Sequence, residues 1–387
     1  MQNYVSLQCM FVIFLITTHL SQQPIIPFQF HTIVQQRSFS CIYYFVMIVA
    51  KFGGTAITAQ NVYKIKSLVK DSTKVVVVSA IGKSFCVDTK VTDLLLGYFN
   101  SSSEQVLLQI VNKYQQLADA CNVAFEGSQL VQQAKDYVSN YDLAGLLSLG
   151  EKYSALIVSQ LLGATYLEAA DVIRFSNNSL NISASCKLIR KAVKDKKLCV
   201  IGGFYGANTV GQIRTFSRGG GDVTGALVSL ALKANVYENW TDTSGIYITN
   251  PAICASQSIP NLSYNQMYFL AQNGANVLHP DCVKLCQRGA IPIVVGNYLF
   301  PDSNRTIISN NVSLLPLLNV TEKRGDNVFV TSVLHNMTQR QFVAKLHKFF
   351  SNSTLLSQQL LSVNLAPNVC TIKSNVSIVT EFYNAIK

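Results

Sequence analysis

The segment KVVVVSA at residues 74–80 is a run of β-branched residues with no polar alternation. Such a run fits a strand buried on both faces, as in a parallel sheet covered by helices, and does not fit a half-exposed antiparallel strand. LCVIGG at 198–203 is a second run of this kind, and IVAKF at 48–52 is a shorter one that ends in Gly53-Gly54. Helical patterns separate them. Residues 58–69 carry helical spacing (Val62, Ile65, Leu68, Val69), 104–141 read as helices, and 153–162 read as a helix entered through Gly150-Glu151. Residues 165–168, 235–240 and 291–295 read as further strands, and 224–233 as an apolar helix opened by the turn at 218–222. Strand–helix alternation over about 260 residues predicts an open, mainly parallel three-layer α/β/α sandwich.

The chain has 387 residues, of which 49% are hydrophobic, enough for a sizeable core and against global disorder. The net charge is +11, yet charged residues make up only 13%. One tight basic cluster exists, Arg190, Lys191, Lys194, Lys196 and Lys197, broken by Asp195; it reads as a solvated helix end rather than a nucleic-acid patch. Ten cysteines in so long a chain are not a disulfide scaffold, and Cys282 and Cys286, one helical turn apart, lack the partner set of a zinc site. They read as small buried hydrophobes of a reducing, cytoplasmic compartment.

Residues 1–46 hold one charge, Arg37, and an apolar run at 9–16 that is too short to span a bilayer, so no membrane anchor is expected. The extension reads as an upstream reading-frame extension, with the domain starting at Met47, as a targeting segment, or as a real but peripheral extension. Eleven Asn-x-Ser/Thr triplets lie between Asn100 and Asn375, each an acceptor pattern for glycosylation. One of them, Asn239-Trp240-Thr241, falls within a candidate binding turn. After about residue 310 the texture changes: strands at 328–334, 361–365 and 370–373 with helices at 339–350 and 376–386 make a small α+β module, in the order β-α-β-β-α. The expected division is therefore 1–46, 47–310 and 311–387.

Three turns carry chemistry. Lys51-Phe52-Gly53-Gly54-Thr55 ends the first strand, where glycines let the backbone approach an anion and Lys51 supplies a positive charge. Arg218-Gly219-Gly220-Gly221-Asp222 opens a helix, placing a guanidinium and a carboxylate near one anion site; Asp222 reads equally as a plain helix cap. Thr241-Asp242-Thr243-Ser244-Gly245-Ile246-Tyr247 is a strand end with a polar turn, suited to a ribose or purine or to a simple Asx turn.

In this order and spacing the turns resemble the aspartate kinases of the amino-acid kinase superfamily. The resemblance runs from Ile48 to about Ile308, through KFGGT (51–55), VSAIGKS (78–84) with Thr92, SLGEKYSA (148–155), GGFYGA (202–207), RGGGD (218–222), WTDTSGIY (240–247), GANVLHP (274–280) and IPIVV (291–295). It implies the amino-acid kinase fold with a C-terminal ACT-like regulatory module, truncated to one where such kinases usually carry two. It implies ATP, Mg²⁺ and L-aspartate as ligands, and a homo-oligomer through the ACT-like region. By resemblance, Lys51 with Gly53 and Gly54 binds the transferring phosphate, and Asp222 holds Lys51 and helps organise Mg²⁺. Arg218 clamps the aspartate α-carboxylate, Glu151 its ammonium, and Thr55 and Thr92 also contact substrate. Thr241, Asp242 and Tyr247 line the nucleotide pocket. The attacking β-carboxylate is ionised at neutral pH, so no general base is required. His279 reads as a capping or packing residue.

The sequence departs from the family pattern at Ala56 and Gly221, where hydroxyls are lost, and at Asn250-Pro251-Ala252, where charge is lost. These departures motivate an alternative, a catalytically weakened homologue that senses an amino acid or nucleotide.

Overall fold

The computed structural model describes residues 46–84, 88–217, 219–247, 256–272 and 275–311, residues 340, 341 and 344, and the backbone of strands 317–324, 327–334, 360–366 and 369–375. The chain divides into two units, residues 1–44 and 45–387. Every element below belongs to the second. The extension before residue 46, Arg218 and the departure at 250–252 lie outside the described residues.

Eight strands form the main sheet: β1 (Ile48–Phe52), β2 (Thr73–Val78), β3 (Thr165–Leu167), β4 (Cys199–Gly202), β5 (Val236–Thr241), β6 (Asn261–Ser263), β7 (Ile293–Asn297) and β8 (Thr306–Ser309). Their spatial order is β6-β8-β7-β5-β1-β2-β4-β3. Every pairing is parallel except β7 with β8. Among the described residues these helices accompany them: α1 (Tyr63–Leu68), α2 (Val91–Ser101), α3 (Glu104–Cys121), α4 (Gly127–Ser139), α5 (Leu143–Leu162), α6 (Ala169–Val172), α7 (Ile182–Val193), α8 (Gly220–Leu232), α9 (Tyr264–Gln272) and α10 (Pro280–Gly289).

The unbroken apolar runs are explained by the two cores. Val49, Val75, Val77 and Ile201 point to one face and pack with α6–α10. Ala50, Phe52, Val76, Val78 and Val200 point to the other and pack with α1–α5. With period-2 alternation, both sets must be apolar. Each such valine or isoleucine removed from water contributes about 1.5–3 kcal/mol. The expected open, mainly parallel three-layer sandwich is the fold observed.

Three local boundaries differ from the sequence reading. Helix α5 starts at Leu143 rather than near residue 153, because Asp142 caps it, its side chain accepting from the Gly145 N–H at 2.8 Å. Gly150 and Glu151 are therefore mid-helix and not its entry. Helix α8 starts at Gly220, which puts Asp222 inside its first turn. In the 58–69 region only 63–68 is α-helical, after a short 3₁₀ turn at Gly54–Ile57.

The C-terminal sheet has four antiparallel strands, β9 (Leu317–Arg324), β10 (Asn327–Leu334), β11 (Leu360–Ala366) and β12 (Val369–Asn375), in the order β9-β10-β12-β11. Strand β9 was not expected from its composition, since Glu322, Lys323 and Arg324 break its apolar pattern. The cue was the two-residue spacing, Gly325-Asp326, that separates it from β10. Arg340, Gln341 and Ala344 are helical; the rest of the helix expected at 339–350, and all of that expected at 376–386, lie outside the described residues.

Arg190 and Lys191 close the last turn of α7, and the whole basic cluster around them is exposed, as a solvated helix end should be. Cys121, Cys186, Cys199, Cys282 and Cys286 are buried and free, and among the described residues no helix is long and apolar enough to cross a membrane.

Candidate active site

Strand β1 lies between β2 and β5, on opposite sides of which the chain continues. The carboxyl ends of these strands flank the crevice where ligands bind in open α/β sheets. Lys51 precedes the last residue of β1, and alternation turns it to the face that carries α8. Its Nζ stands 2.8 Å from Asp222 Oδ1, with the two side chains 12% and 11% exposed.

Asp222 is positioned by the start of α8. Gly219 precedes that helix with φ +59°, a left-handed conformation. A Cβ there would also strike His279 at 2.6 Å, so both the backbone and the packing require glycine. Asp222 then accepts from Asn239 Nδ2 at Oδ1 (3.0 Å) and from the His279 backbone N–H at Oδ2 (3.3 Å). Its place in the first helical turn lets the helix dipole favour the carboxylate. His279 itself caps α10, its Nδ1 accepting from the Asp281 N–H at 3.2 Å.

The turn after β1 is pressed against the turn after β2. Gly82 N–H donates to the Gly54 carbonyl (2.8 Å), and a Cβ on Gly82 would lie 2.5 Å from the Gly54 carbonyl carbon. Gly53 N–H donates to the Trp240 carbonyl at 3.1 Å. In this state it ties the turn to β5, whereas the sequence reading had it turned towards an anion. Thr55 is half-buried in the 3₁₀ turn, its carbonyl taking Asn61 Nδ2 at 3.0 Å and its side chain hydrogen-bonded to Tyr298. Ala56 is fully buried in the apolar cluster with α1–α5, so its departure from the family pattern falls in the core. Gly221 lies between Lys51 and Ser79: a Cβ there would meet Ser79 Oγ at 3.1 Å and Lys51 Cε at 3.4 Å. The Ser79 hydroxyl thus stands beside the position that lacks one.

Glu151 enters from α5 where the ends of β2 and β4 meet it. It is 6% exposed, accepts a backbone N–H from Ala80, and its Oε2 has no hydrogen-bond partner among the described residues. Burial pushes its pKa up to about 8 against backbone hydrogen bonding that lowers it. Once it releases its proton, a buried carboxyl of this kind can receive an ammonium. Thr92 is half-buried in the first turn of α2, next to Val91, whose N–H donates to the Ile81 carbonyl at 3.0 Å.

The third turn follows β5. Thr241 is half-buried and Asp242 exposed, with the Thr241 hydroxyl donating to Asp242 Oδ1 at 3.2 Å. Tyr298 N–H and Asn297 Nδ2 hold the carbonyls of Thr241 and Asp242 at 3.0 and 3.1 Å. Tyr247 ends a short hairpin strand, Ile246–Tyr247, paired with Ser258–Ile259. The structure thus brings Lys51, Asp222, Gly53, Gly54, Thr55 and Thr241 together around the ends of β1 and β5. Glu151 stands at the end of β2. The sequence reading gave no role to Ser79, Asn239 or Tyr298. Ser79 lay within a quoted motif, and Asn239 was masked by its glycosylation pattern.

A lysine–carboxylate pair at the switch point of a parallel sheet, with glycine turns on three strand ends, defines a phosphate-handling α/β protein. The chain belongs to the amino acid kinase family, whose model matches residues 46–297. It is 33% identical to the aspartokinase of Chlamydia pneumoniae over 279 residues, covering 67% of this chain and 62% of that protein. It is 26% identical to aspartokinase 3 of Bacillus subtilis, covering 75% of this chain and 70% of that protein. The chain therefore spans about three fifths of the Chlamydia relative's length. Its fold matches the crystal structure of Clostridium acetobutylicum aspartate kinase with a TM-score of 0.72, at 20% identity over 88% of this chain and all of the other. It also matches E. coli aspartokinase III in complex with aspartate and ADP, with a TM-score of 0.61 at 21% identity over 85% of this chain and 78% of the other.

Proposed function

We propose that the chain is an ATP-dependent aspartate kinase, forming 4-phospho-L-aspartate at the head of lysine, threonine and methionine synthesis. The observation that carries this is the Lys51–Asp222 pair at 2.8 Å, together with a buried Glu151 at the end of β2 that has no ion-pair partner among the described residues. The names of the relatives, and the aspartate and ADP bound by the E. coli enzyme, support the same reading.

In this mechanism Lys51 draws the transferring γ-phosphoryl group and neutralises its charge, while the Asp222 carboxylate fixes the ammonium. Glu151 takes the substrate ammonium, and Arg218 the α-carboxylate through a bidentate pair. Thr55 and Thr92 orient the substrate, and Thr241, Asp242 and Tyr247 hold the nucleoside. A β-carboxylate oxygen attacks the γ-phosphorus, the bond to the ADP oxygen breaks, and an acyl phosphate and ADP result. Catalysis is positioning plus charge neutralisation.

Among the described residues no group of three or more His, Cys, Asp or Glu side chains forms a metal cage. That donor set fits Mg²⁺ carried largely by phosphates and water, with Asp222 as the nearby carboxylate. When bound, the ion neutralises phosphate charge. The division at residue 310, an ACT-like module in 311–387, pairing of copies through it and a cytoplasmic setting belong to the same proposal.

The test is acyl-phosphate formation trapped with hydroxylamine, using Mg-ATP with aspartate, glutamate or no acceptor. Aspartate-dependent turnover that disappears in Lys51→Ala establishes the kinase. A folded, ATP-binding chain with no turnover overturns it in favour of a sensor.

A further inference from the structure

Asn239 is a buried polar side chain of this site that the proposed reaction leaves without a role. It lies on β5 directly beside Lys51 of β1 in the parallel register and is 1% exposed. Its Nδ2 donates to Asp222 Oδ1 at 3.0 Å, the same oxygen that takes the Lys51 ammonium at 2.8 Å. Chemistry fixes the amide's orientation, because turned about it would set its carbonyl oxygen against a carboxylate oxygen. Held that way, Asn239 Oδ1 is buried with no donor among the described residues. A buried acceptor left open beside a catalytic ammonium calls for an explanation in the bound state.

We infer that Asn239 is a positioning residue for phosphoryl transfer: it holds the Asp222 carboxylate in place while Lys51 turns to the phosphate, and its Oδ1 gives that ammonium a second acceptor. This rests on the kinase reading of the site. An ammonium that shares itself with phosphoryl oxygens loosens its grip on Asp222, and the incoming phosphate repels the carboxylate. A neutral amide on the same oxygen restrains the carboxylate without adding charge that would compete with Lys51. Among the described residues, an apolar residue at 239 leaves the Asp222 carboxylate only the His279 N–H at 3.3 Å once Lys51 moves. The same contacts account for the Asn-Trp-Thr triplet, whose asparagine is buried against Asp222 and closed to a glycan in the folded chain.

The test is a double-mutant cycle in the full chain between Asn239→Leu and Asp222→Asn, with folding checked by thermal melting. It is read by kcat and KM in the acyl-phosphate assay and, independently, by Mg-ADP binding. Asn239→Leu is expected to lower kcat about 10- to 100-fold with a smaller change in the aspartate KM. It is also expected to weaken Mg-ADP, and to cost little more once Asp222 is already changed. Asn239→Gln, which retains the amide, should recover part of the loss. Parent-like turnover and binding in Asn239→Leu, or losses that add in full to those of Asp222→Asn, overturn the inference. A parent chain that binds Mg-ADP without turnover removes the kinase reading, and the binding cycle still decides the role of Asn239. If Asn239→Leu does not fold, the cycle is run with Asn239→Ser, judged by the same two outcomes.

Discussion

Lys51 Nζ on β1 lies 2.8 Å from Asp222 Oδ1 in the first turn of α8, and both side chains are nearly buried. Removing one partner of such a pair strands a charge, which costs about 3–5 kcal/mol when nothing else holds it. Asp222 keeps two other donors, Asn239 and the His279 N–H, whereas no other ion pair to Lys51 is found among the described residues.

The two halves of the pair should therefore respond differently. Lys51→Met is expected to lower kcat about 10²–10³-fold, as when an oxyanion-stabilising donor is lost, with a modest fall in stability. Asp222→Ala is expected to cost more stability, because it strands the Lys51 ammonium. Urea unfolding beside steady-state kinetics checks both.

The buried Glu151 makes stability depend on pH. Burial carries its carboxyl from the ordinary glutamate range, near 4.5, up to about 8 in the fold. The folded chain thus binds a proton that the unfolded chain releases across this window. Stability from this group is retained below about pH 4.5 and declines as pH rises towards 8. Melting temperatures between pH 5 and 8 should fall more steeply for the parent than for Glu151→Gln.

Substrate binding should run the other way. If Glu151 receives the aspartate ammonium, its proton must leave first, so the aspartate KM should fall as pH rises from 6.5 to about 8 and then level off. Glu151→Gln should bind aspartate weakly with no such dependence. Initial-rate kinetics over that range checks it.

The seam between the first two strand ends should resist any side chain. Gly82→Ala sets a Cβ 2.5 Å from the Gly54 carbonyl carbon, and Gly54→Ala sets one 2.8 Å from the Ala80 carbonyl oxygen. Backbone must shift in both, at about 1–3 kcal/mol. Chemical denaturation gives the loss. Because that turn follows directly on the strand that carries Lys51, kcat should fall along with it.

Trp240 joins the core to the site. Its ring is parallel to that of Phe52, with centroids 6.4 Å apart; Arg305 lies 5.0 Å over it, and its Nε1 donates to the buried Glu238 at 3.1 Å. Glu238 is also paired with Lys70 at 2.9 Å. Trp240→Ala is expected to cost about 3–5 kcal/mol, measured by urea unfolding, with Trp240→Phe losing less.

Much of this architecture is written locally. The valine run of β2 and the apolar run of β4 demand burial on both faces, and only a helix-covered parallel sheet supplies it. Lys51 with Gly53 and Gly54, and Gly219 with Asp222, are legible as strand-end and helix-start turns because glycine and charge act within a few residues. Strand β9 was less legible, since its charged end hides its apolar face.

Other features were decided by packing. Gly150-Glu151 looks like a helix entry along the chain, yet Asp142 starts α5 a full eight residues earlier and buries Glu151 beneath Ala80. The raised pKa of Glu151, the amide that Gly53 gives to Trp240, and the grip of Asn239 and His279 on Asp222 join segments distant in sequence. Periodicity and turn chemistry are local and survive in the one-dimensional string. Desolvation and hydrogen-bond partnership depend on which distant elements pack together, and they exist only once the sheet has brought β1, β2, β5 and α8 to one end.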